Sequence, residues 1–231
     1  MPRLARAVAV DCAHHVVQRG NNRQDVFFVD GDKRVYLEIL AEECEKYGLE
    51  VSGYCLMTNH VHLVATPHKE DSLAKAVGRA HFRYTQYINR FHKRSGHLWQ
   101  GRFYSCALDE RHFGEAMRYV ELNPVRAKMC RKAWRYEWSS AAAHVGSGDG
   151  SQLLNMAGWF DEMPAGKWRR LLEQGLGEEA LAALRLNTRT GRPLGTDGFL
   201  SKLESLLGRR VRALPVGRPK TIKYRPRDGN R

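Results

Sequence analysis

Two periodicities divide the first 145 residues into elements. Cys12 to Gly20 reads as a first strand that runs into a polar turn, Asn21-Asn22-Arg23-Gln24. From Asp32 to Tyr47 apolar residues recur at helical spacing (Val35, Leu37, Ile39, Leu40, Cys44, Tyr47), and Gly48 stands where a C-cap glycine is expected. Leu49 to Met57 and His60 to Thr66 are apolar runs joined by Thr58-Asn59, the pattern of an antiparallel pair. A long helix is predicted over 72–93, opened by Asp71 or Ser72 and closed near Gly96. Residues 98–108 read as another strand, after which Asp109 caps a helix running toward Asn123. The order β-α-β-β-α-β-α predicts an α+β domain, with helices packed against an antiparallel sheet.

Beyond this point the pattern weakens. Val145 to Ser151 is rich in glycine and serine and reads as a linker, followed by short helical stretches near 153–163, 165–175, 177–186 and 196–208. The last 24 residues, from Gly208, hold nine Lys or Arg and a single acid, and read as a mobile, phosphate-seeking tail. The expected organisation is an α+β domain over 1–145, a helical C-terminal region over 146–207 and a basic tail over 208–231. The helical region suits either a small DNA-binding unit or a clamp on the first domain.

Composition narrows the function classes. With 42% hydrophobic residues among 231 the chain can bury a core. Lys and Arg exceed Asp and Glu by 13, the signature of a polyanion-binding protein. Without an amphipathic membrane anchor or a long apolar run, nucleic acid is the expected partner and no membrane is expected. The five cysteines form no C-x-x-C pair, which argues against a disulfide framework or zinc knuckle and for a reducing, cytoplasmic setting.

Within the second apolar run, Thr58-Asn59-His60-Val61-His62-Leu63-Val64, two histidines flank one valine. Side chains at i and i+2 of a strand share a face, so His60 and His62 form half of a divalent-metal site. A buried pair serving only as hydrogen-bonded core is the alternative. On the helix after Asp109, Tyr119 and Asn123 lie four apart and share a face if the helix reaches that far. Pro124 disfavours helical geometry at Asn123, so the helix is expected to end or kink there. Asn123 adds an oxygen to two imidazoles, and such an open N/O set suits Mg²⁺ or Mn²⁺. Tyr119 one turn away is a candidate nucleophile toward a phosphodiester, since a phosphotyrosine conserves the bond energy for rejoining. It also fits an amphipathic core position with its hydroxyl at the rim.

Four blocks, in order, resemble the single-tyrosine HUH transposases of the IS200-like type, in particular the REP-associated tyrosine transposases. They are His15-Val16-Val17-Gln18-Arg19-Gly20-Asn21-Asn22-Arg23-Gln24, Met57 to Val64, Trp99-Gln100-Gly101-Arg102-Phe103, and Tyr119-Val120-Glu121-Leu122-Asn123-Pro124-Val125-Arg126-Ala127. The resemblance implies an RNA-recognition-like antiparallel sheet with His60 and His62 as metal ligands and Tyr119 as catalytic residue. Asn123 matches the helix-borne third ligand, a position where some relatives carry Gln. It implies cleavage and rejoining of single-stranded DNA at hairpin-forming repeats through a 5′-phosphotyrosine, by a protein acting as a monomer.

Candidate DNA contacts are Asn21, Asn22 and Arg23 in the polar turn, Arg79, Arg83, Arg90 and Lys93 on the long helix, and Arg102 in the third block. Cations and aromatic faces along a helix suit a single strand. A solvated helix face, with Tyr84 and Tyr87 packed inward, is the structural alternative. His15 reads as structural rather than as a metal ligand. Two other readings share this composition: a regulator that grips hairpins without cutting, and an RNA-directed protein. The latter lacks a paired-aromatic RNP block. A relaxase or replication initiator would share the chemistry, but no helicase or P-loop sequence accompanies it.

Overall fold

In the computed structural model, which describes residues 7–148 and 151–213, the strands form one antiparallel sheet. Strand β1 is His14–Arg19, β2 Leu49–Met57, β3 His60–Pro67 and β4 Tyr104–Ala107, in the order β2-β3-β1-β4. Helix α1 (Asp30–Tyr47) precedes β2, α2 (Ser72–Phe91) follows β3, and α3 (Glu110–Glu121) follows β4. The expected α+β class and element order are therefore present, and the basic segment from Leu214 onward lies outside the described residues. Among the described residues no helix is long and apolar enough to cross a membrane.

Strand alternation sorts the sheet into two chemically different faces. Val16, Tyr54, Leu56, Val61, Leu63 and Ala65 pack on one side against α1 and α2. Leu73, Val77, Ala80, Tyr84 and Ile88 recur at three- and four-residue spacing on α2 and are fully buried there. Burial of Leu73, Val77 and Ile88 contributes about 1.5–3 kcal/mol each relative to exposure. On the other side Cys55, Met57, Val64 and Cys106 meet α3 through Ala116, Met117, Tyr119 and Val120.

Several boundaries follow the residues read for them. Gly48 caps α1 in the left-handed region at φ 64°, and the Asp109 carboxylate accepts from the His112 backbone N–H at 2.9 Å at the start of α3. Helix α1 begins at Asp30, two residues before the expected start, because the Asp32 side chain accepts from the Phe28 and Val29 amides at 2.8 and 3.1 Å and so caps the turn from within. The strand expected over 98–108 is shortened to Tyr104–Ala107. Leu98 and Trp99 instead cross the end of β1, with the Asn21 amide donating to the Leu98 carbonyl at 2.8 Å and the Trp99 indole donating to the His81 carbonyl. Gly101 at φ 107° then breaks the extended run.

The residues after 150 do not stand apart from the sheet. Helix α4 is Asn123–Arg126, α5 Ala141–His144, α6 Trp159–Glu162, α7 Ala165–Gln174, α8 Glu178–Thr190 and α9 Asp197–Leu207. Trp168 and Leu172 of α7 and Leu181 and Leu184 of α8 join the core on the α3 side. Helix α8 continues four residues past the expected 186 and ends at Gly191, φ 69°. Leu194 then pairs in parallel with Leu108, its N–H donating to the Ala107 carbonyl at 2.8 Å, which covers the outer edge of β4.

A buried carboxylate ties α3 to this C-terminal layer. Glu121 is fully buried; it accepts from the Ser140 hydroxyl at 2.7 Å, from His144 Nδ1, and from the Trp168 indole at 2.8 Å. Replacing it by an amide turns an NH₂ group toward donors. Glu121→Gln is therefore expected to cost about 1.5–3 kcal/mol, read from the urea midpoint, and an unchanged midpoint would discount the network. Glycine supplies a second test. A Cβ at Gly20 would sit 2.2 Å from the Gln24 carbonyl oxygen, whereas one at Gly78 inside α2 meets nothing within 4 Å. Gly20→Ala should lower stability by about 1–3 kcal/mol through overpacking, and Gly78→Ala should raise it by about 0.5–1 kcal/mol, both measurable by thermal melting.

Candidate active site

The side of β3 that faces α3 carries His60 and His62, and its register with β1 decides their neighbours. His62 lies opposite Val17 and His60 opposite Arg19, while His15, opposite Val64, is the diagonal neighbour of His62. Helix α3 lays Tyr119 across the same face. Ring centroids are 5.0 Å apart for His60 and His62, 5.6 Å for His62 and Tyr119, and 5.3 Å for His15 and Tyr119. A cavity of about 450 Å³ is lined by these four residues together with Arg19, Gln100, Tyr104 and Asn123 and by Arg185, Thr188 and Arg189 of α8.

His60 and His62 each have one nitrogen already engaged. His60 Nδ1 lies 2.7 Å from Asn59 Oδ1, and the Asn59 amide is itself fixed by donating to the Arg23 carbonyl at 2.9 Å. His62 Nδ1 lies 3.0 Å from His15 Nε2, with the two ring planes within 3°. Both histidines thus keep Nε2 for a ligand, the state in which imidazoles bind metals when a neighbour holds the other nitrogen. Burial, and secondarily the Arg19 charge, lowers the His60 pKa to about 4. Burial and then Arg126 lower His15 to about 3, and burial followed by the adjacent His60 and His15 takes His62 well below its ordinary value. All three rings are neutral at pH 7, as metal ligation requires.

The chain breaks between α3 and α4 as Pro124 demands: α3 stops at Glu121 and α4 restarts at Asn123 with proline in its first turn. The kink keeps Asn123 in the cavity. Its Nδ2 donates to the Tyr119 and Val120 carbonyls, both at 3.2 Å, which leaves Oδ1 as the atom available to a cation. Arg126 closes the back of Tyr119. Its guanidinium lies 4.3 Å from the ring centroid and donates to the Tyr119 carbonyl at 2.6 Å. Among the described residues no group of three or more His, Cys, Asp or Glu is placed for a metal. A cation held by His60 and His62 would find the Asn123 amide oxygen lining the same cavity.

The eight residues expected to contact DNA lie elsewhere. Asn21, Asn22 and Arg23 form a short 3₁₀ turn in which Asn22 and Arg23 adopt positive φ, and its backbone supports Asn59. Helix α2 lies on the opposite face of the sheet from His62. There Arg79 is exposed and stacked over Phe82 and Arg90 is exposed, whereas Lys93, expected on the helix, lies two residues past its end at φ 50°. Arg83 is held between Glu42 and Glu43 of α1 at 2.7 and 2.8 Å. Arg102 is exposed beside a second cavity lined by Gln18, Phe82 and Trp99. The cations at the candidate site are instead Arg19, Arg185 and Arg189, with Arg126 behind Tyr119. Arg19 was legible from alternation, two residues from Val17 and four from His15 on one strand face. Nothing local to α8 marks Arg185, Thr188 or Arg189.

The family model described as "Transposase IS200 like" matches residues 8–123, from before β1 to the first residue of α4. A Haemophilus influenzae protein named as a REP-associated tyrosine transposase is 25% identical over 96 residues, 37% of this chain and 54% of that protein. The chain thus spans about half the length of that relative. A solved REP-associated tyrosine transposase, bound to a REP hairpin, superposes with a TM-score of 0.55 at 14% identity, covering 67% of this chain and 98% of its own. That likeness is one of fold.

The neutral imidazoles carry a pH consequence that is readable away from the cavity. His81, a buried residue of α2 whose Nε2 lies 3.1 Å from the Tyr36 hydroxyl, has its pKa lowered to about 3 by burial. An unfolded histidine titrates near about 6.5, so the unfolded chain binds more protons between that value and the folded pKa. Stability is then complete above pH 6.5 and falls as pH drops through this window. Urea unfolding at a series of pH values from 7.5 down to 4.5 should show this decline, with a shallower slope in His81→Gln. Equal slopes would refute the assignment.

Proposed function

Because the chain belongs to the IS200-like transposase family, we propose that it cleaves and rejoins single-stranded DNA at hairpin-forming repeats, with Tyr119 as nucleophile. The carrying observation is the convergence of His60, His62, Tyr119 and Asn123 on one cavity, with Nε2 of each metal-candidate histidine left for a ligand. His60 and His62 through Nε2 and Asn123 through Oδ1 would hold Mg²⁺ or Mn²⁺. When bound, such an ion polarises the scissile phosphate and offsets charge that develops on it.

The chain's own residues do the remainder. The Tyr119 oxygen displaces the 3′ oxygen from phosphorus, leaving the 5′ phosphate on tyrosine and a free 3′-OH that takes up the phenol's proton. A later 3′-OH reverses the step, so cutting and joining share one site. Arg126 holds the Tyr119 ring and carbonyl, fixing the phenol's direction of approach. Arg19, Arg185 and Arg189 surround the cavity with positive charge that attracts the phosphate backbone. Burial keeps the imidazoles unprotonated, and the low-dielectric surroundings strengthen each polar contact they make.

The test is a denaturing-gel assay on labelled single-stranded hairpin oligonucleotides from repeats flanking the gene, with Mn²⁺ or Mg²⁺. Wild type is expected to give a covalent protein–DNA band and a cut product. Tyr119→Phe should abolish the adduct, and His60→Ala/His62→Ala should reduce cleavage by at least ~100-fold, each 1.36 kcal/mol of lost transition-state stabilisation being tenfold. Native-gel retention of the hairpin should persist in both variants. Tight binding with no adduct in the wild type would favour a hairpin-binding regulator instead.

A further inference from the structure

Thr188 reaches the site from α8, 65 residues beyond the end of the segment matched by the family model. Its Oγ1 lies 2.8 Å from His15 Nδ1; His15 Nε2 lies 3.0 Å from His62 Nδ1; and the Thr188 hydroxyl lies 3.5 Å from Cys106 Sγ. All four side chains are buried, so no bulk water competes for these bonds.

We propose that Thr188 is a positioning residue for His62, acting through His15 to hold His62 in the tautomer that leaves Nε2 bare for a divalent cation. The inference rests on the reading of His60 and His62 as a metal half-site. The chain of bonds admits two proton arrangements. In one, Cys106 donates to Thr188, Thr188 to His15 Nδ1, and His15 Nε2 to His62 Nδ1. The remaining hydrogen of His62 then sits on Nε2 and blocks ligation. In the other, His62 Nδ1 donates to His15 Nε2, His15 Nδ1 donates to Thr188 Oγ1, and the Thr188 hydroxyl donates to Cys106 Sγ. His62 Nδ1, both nitrogens of His15 and the Thr188 hydroxyl are then paired, and His62 Nε2 carries a lone pair. The second arrangement needs an oxygen at position 188 that accepts. It is the arrangement that a bound cation selects, and partners of this kind typically change metal affinity by about 10–100-fold. Arg185 and Arg189 line the same cavity from α8, so one helix would supply both the phosphate-attracting charge and the support for the ligand.

The experiment uses the full chain and Mn²⁺ alone, with free Mn²⁺ read by electron paramagnetic resonance. Thr188→Val keeps the shape and removes the acceptor; Thr188→Ser keeps the hydroxyl. Thr188→Val is expected to bind Mn²⁺ at least ~10-fold more weakly than wild type, and Thr188→Ser is expected to restore most of that loss. Nitrogen-15 histidine shifts of the metal-free proteins give a second readout. His62 should shift toward the Nε2–H tautomer in Thr188→Val and not in Thr188→Ser. Wild-type Mn²⁺ binding that Thr188→Val leaves unchanged, with unchanged tautomer shifts, overturns the role of Thr188 while sparing the metal site. No Mn²⁺ binding by wild type, or binding indifferent to His60→Ala/His62→Ala, fails the half-site reading and this inference with it.

Discussion

The antiparallel pairing of β1 with β3 is the constraint on which the candidate site depends. Its register sets His62 opposite Val17 and diagonal to His15, and sets His60 opposite Arg19. A one-residue slip would turn His60 and His62 into the α1–α2 core and bring Val61 and Leu63 to the cavity. The register is held from both sides. Val16, Val61 and Leu63 are fully or almost fully buried against α1 and α2, so the slipped sheet would lose that apolar contact as well. The end of the hairpin is tied down independently: the Gly20 amide donates to the Asn59 carbonyl, and the Val26 and Phe27 amides donate to the Thr58 carbonyl. The turn that delivers His60 is therefore a rigid part of the sheet rather than a loop.

The C-terminal layer extends this logic to the other wall of the site. Glu121, two residues after Tyr119, accepts three hydrogen bonds from Ser140, His144 and Trp168, and so couples the end of α3 to α5 and α7. Helix α8 is carried against β1 and β4 by the same apolar cluster, which includes Leu181, Leu184 and Cys106. The solved hairpin-bound relative matches 67% of this chain while using 98% of its own, so roughly a third of the present chain has no counterpart in that structure. One wall of the site, Arg185, Thr188 and Arg189 of α8, comes from residues beyond 123, where the match to the family model ends.

Legibility in the sequence followed the range of the interactions. Gly48 and Asp109 act on their own helix ends, and both boundaries could be read from the residue type and its place in the pattern. The faces of β3 followed from alternation, so His60 and His62 were identifiable as a pair, and the spacing of Tyr119 and Asn123 carried them to the same cavity. The segment Leu98–Phe103 looked like strand because Leu98, Trp99 and Phe103 are apolar or aromatic. They are instead buried beneath α2 across the end of β1, and an apolar run does not state which surface it covers. Arg83 showed only a cation on a helix; that Glu42 and Glu43 face it depends on the packing of α1 against α2. Thr188 was unreadable for the same reason in stronger form. It meets His15 across 173 residues, at the end of a helix where threonine and asparagine argue for an earlier stop.

Burial of the histidines has two consequences that must be considered together. Removing an imidazole from water disfavours its charged form, which costs stability in acid because the unfolded chain takes up the proton. The same desolvation keeps His15, His60 and His62 neutral among several arginines, and neutrality is what lets a ring nitrogen act as an electron-pair donor. Neutral buried rings still have hydrogens to place. Asn59 does this for His60 from a turn that the sheet makes rigid, and His15 does it for His62 from the neighbouring strand. His15 is as buried as the ring it supports, so its own second nitrogen also needs a partner, and no residue of the sheet supplies one. Thr188 fills that place from α8, which makes the outermost helix of the site answerable to the chemistry at its centre.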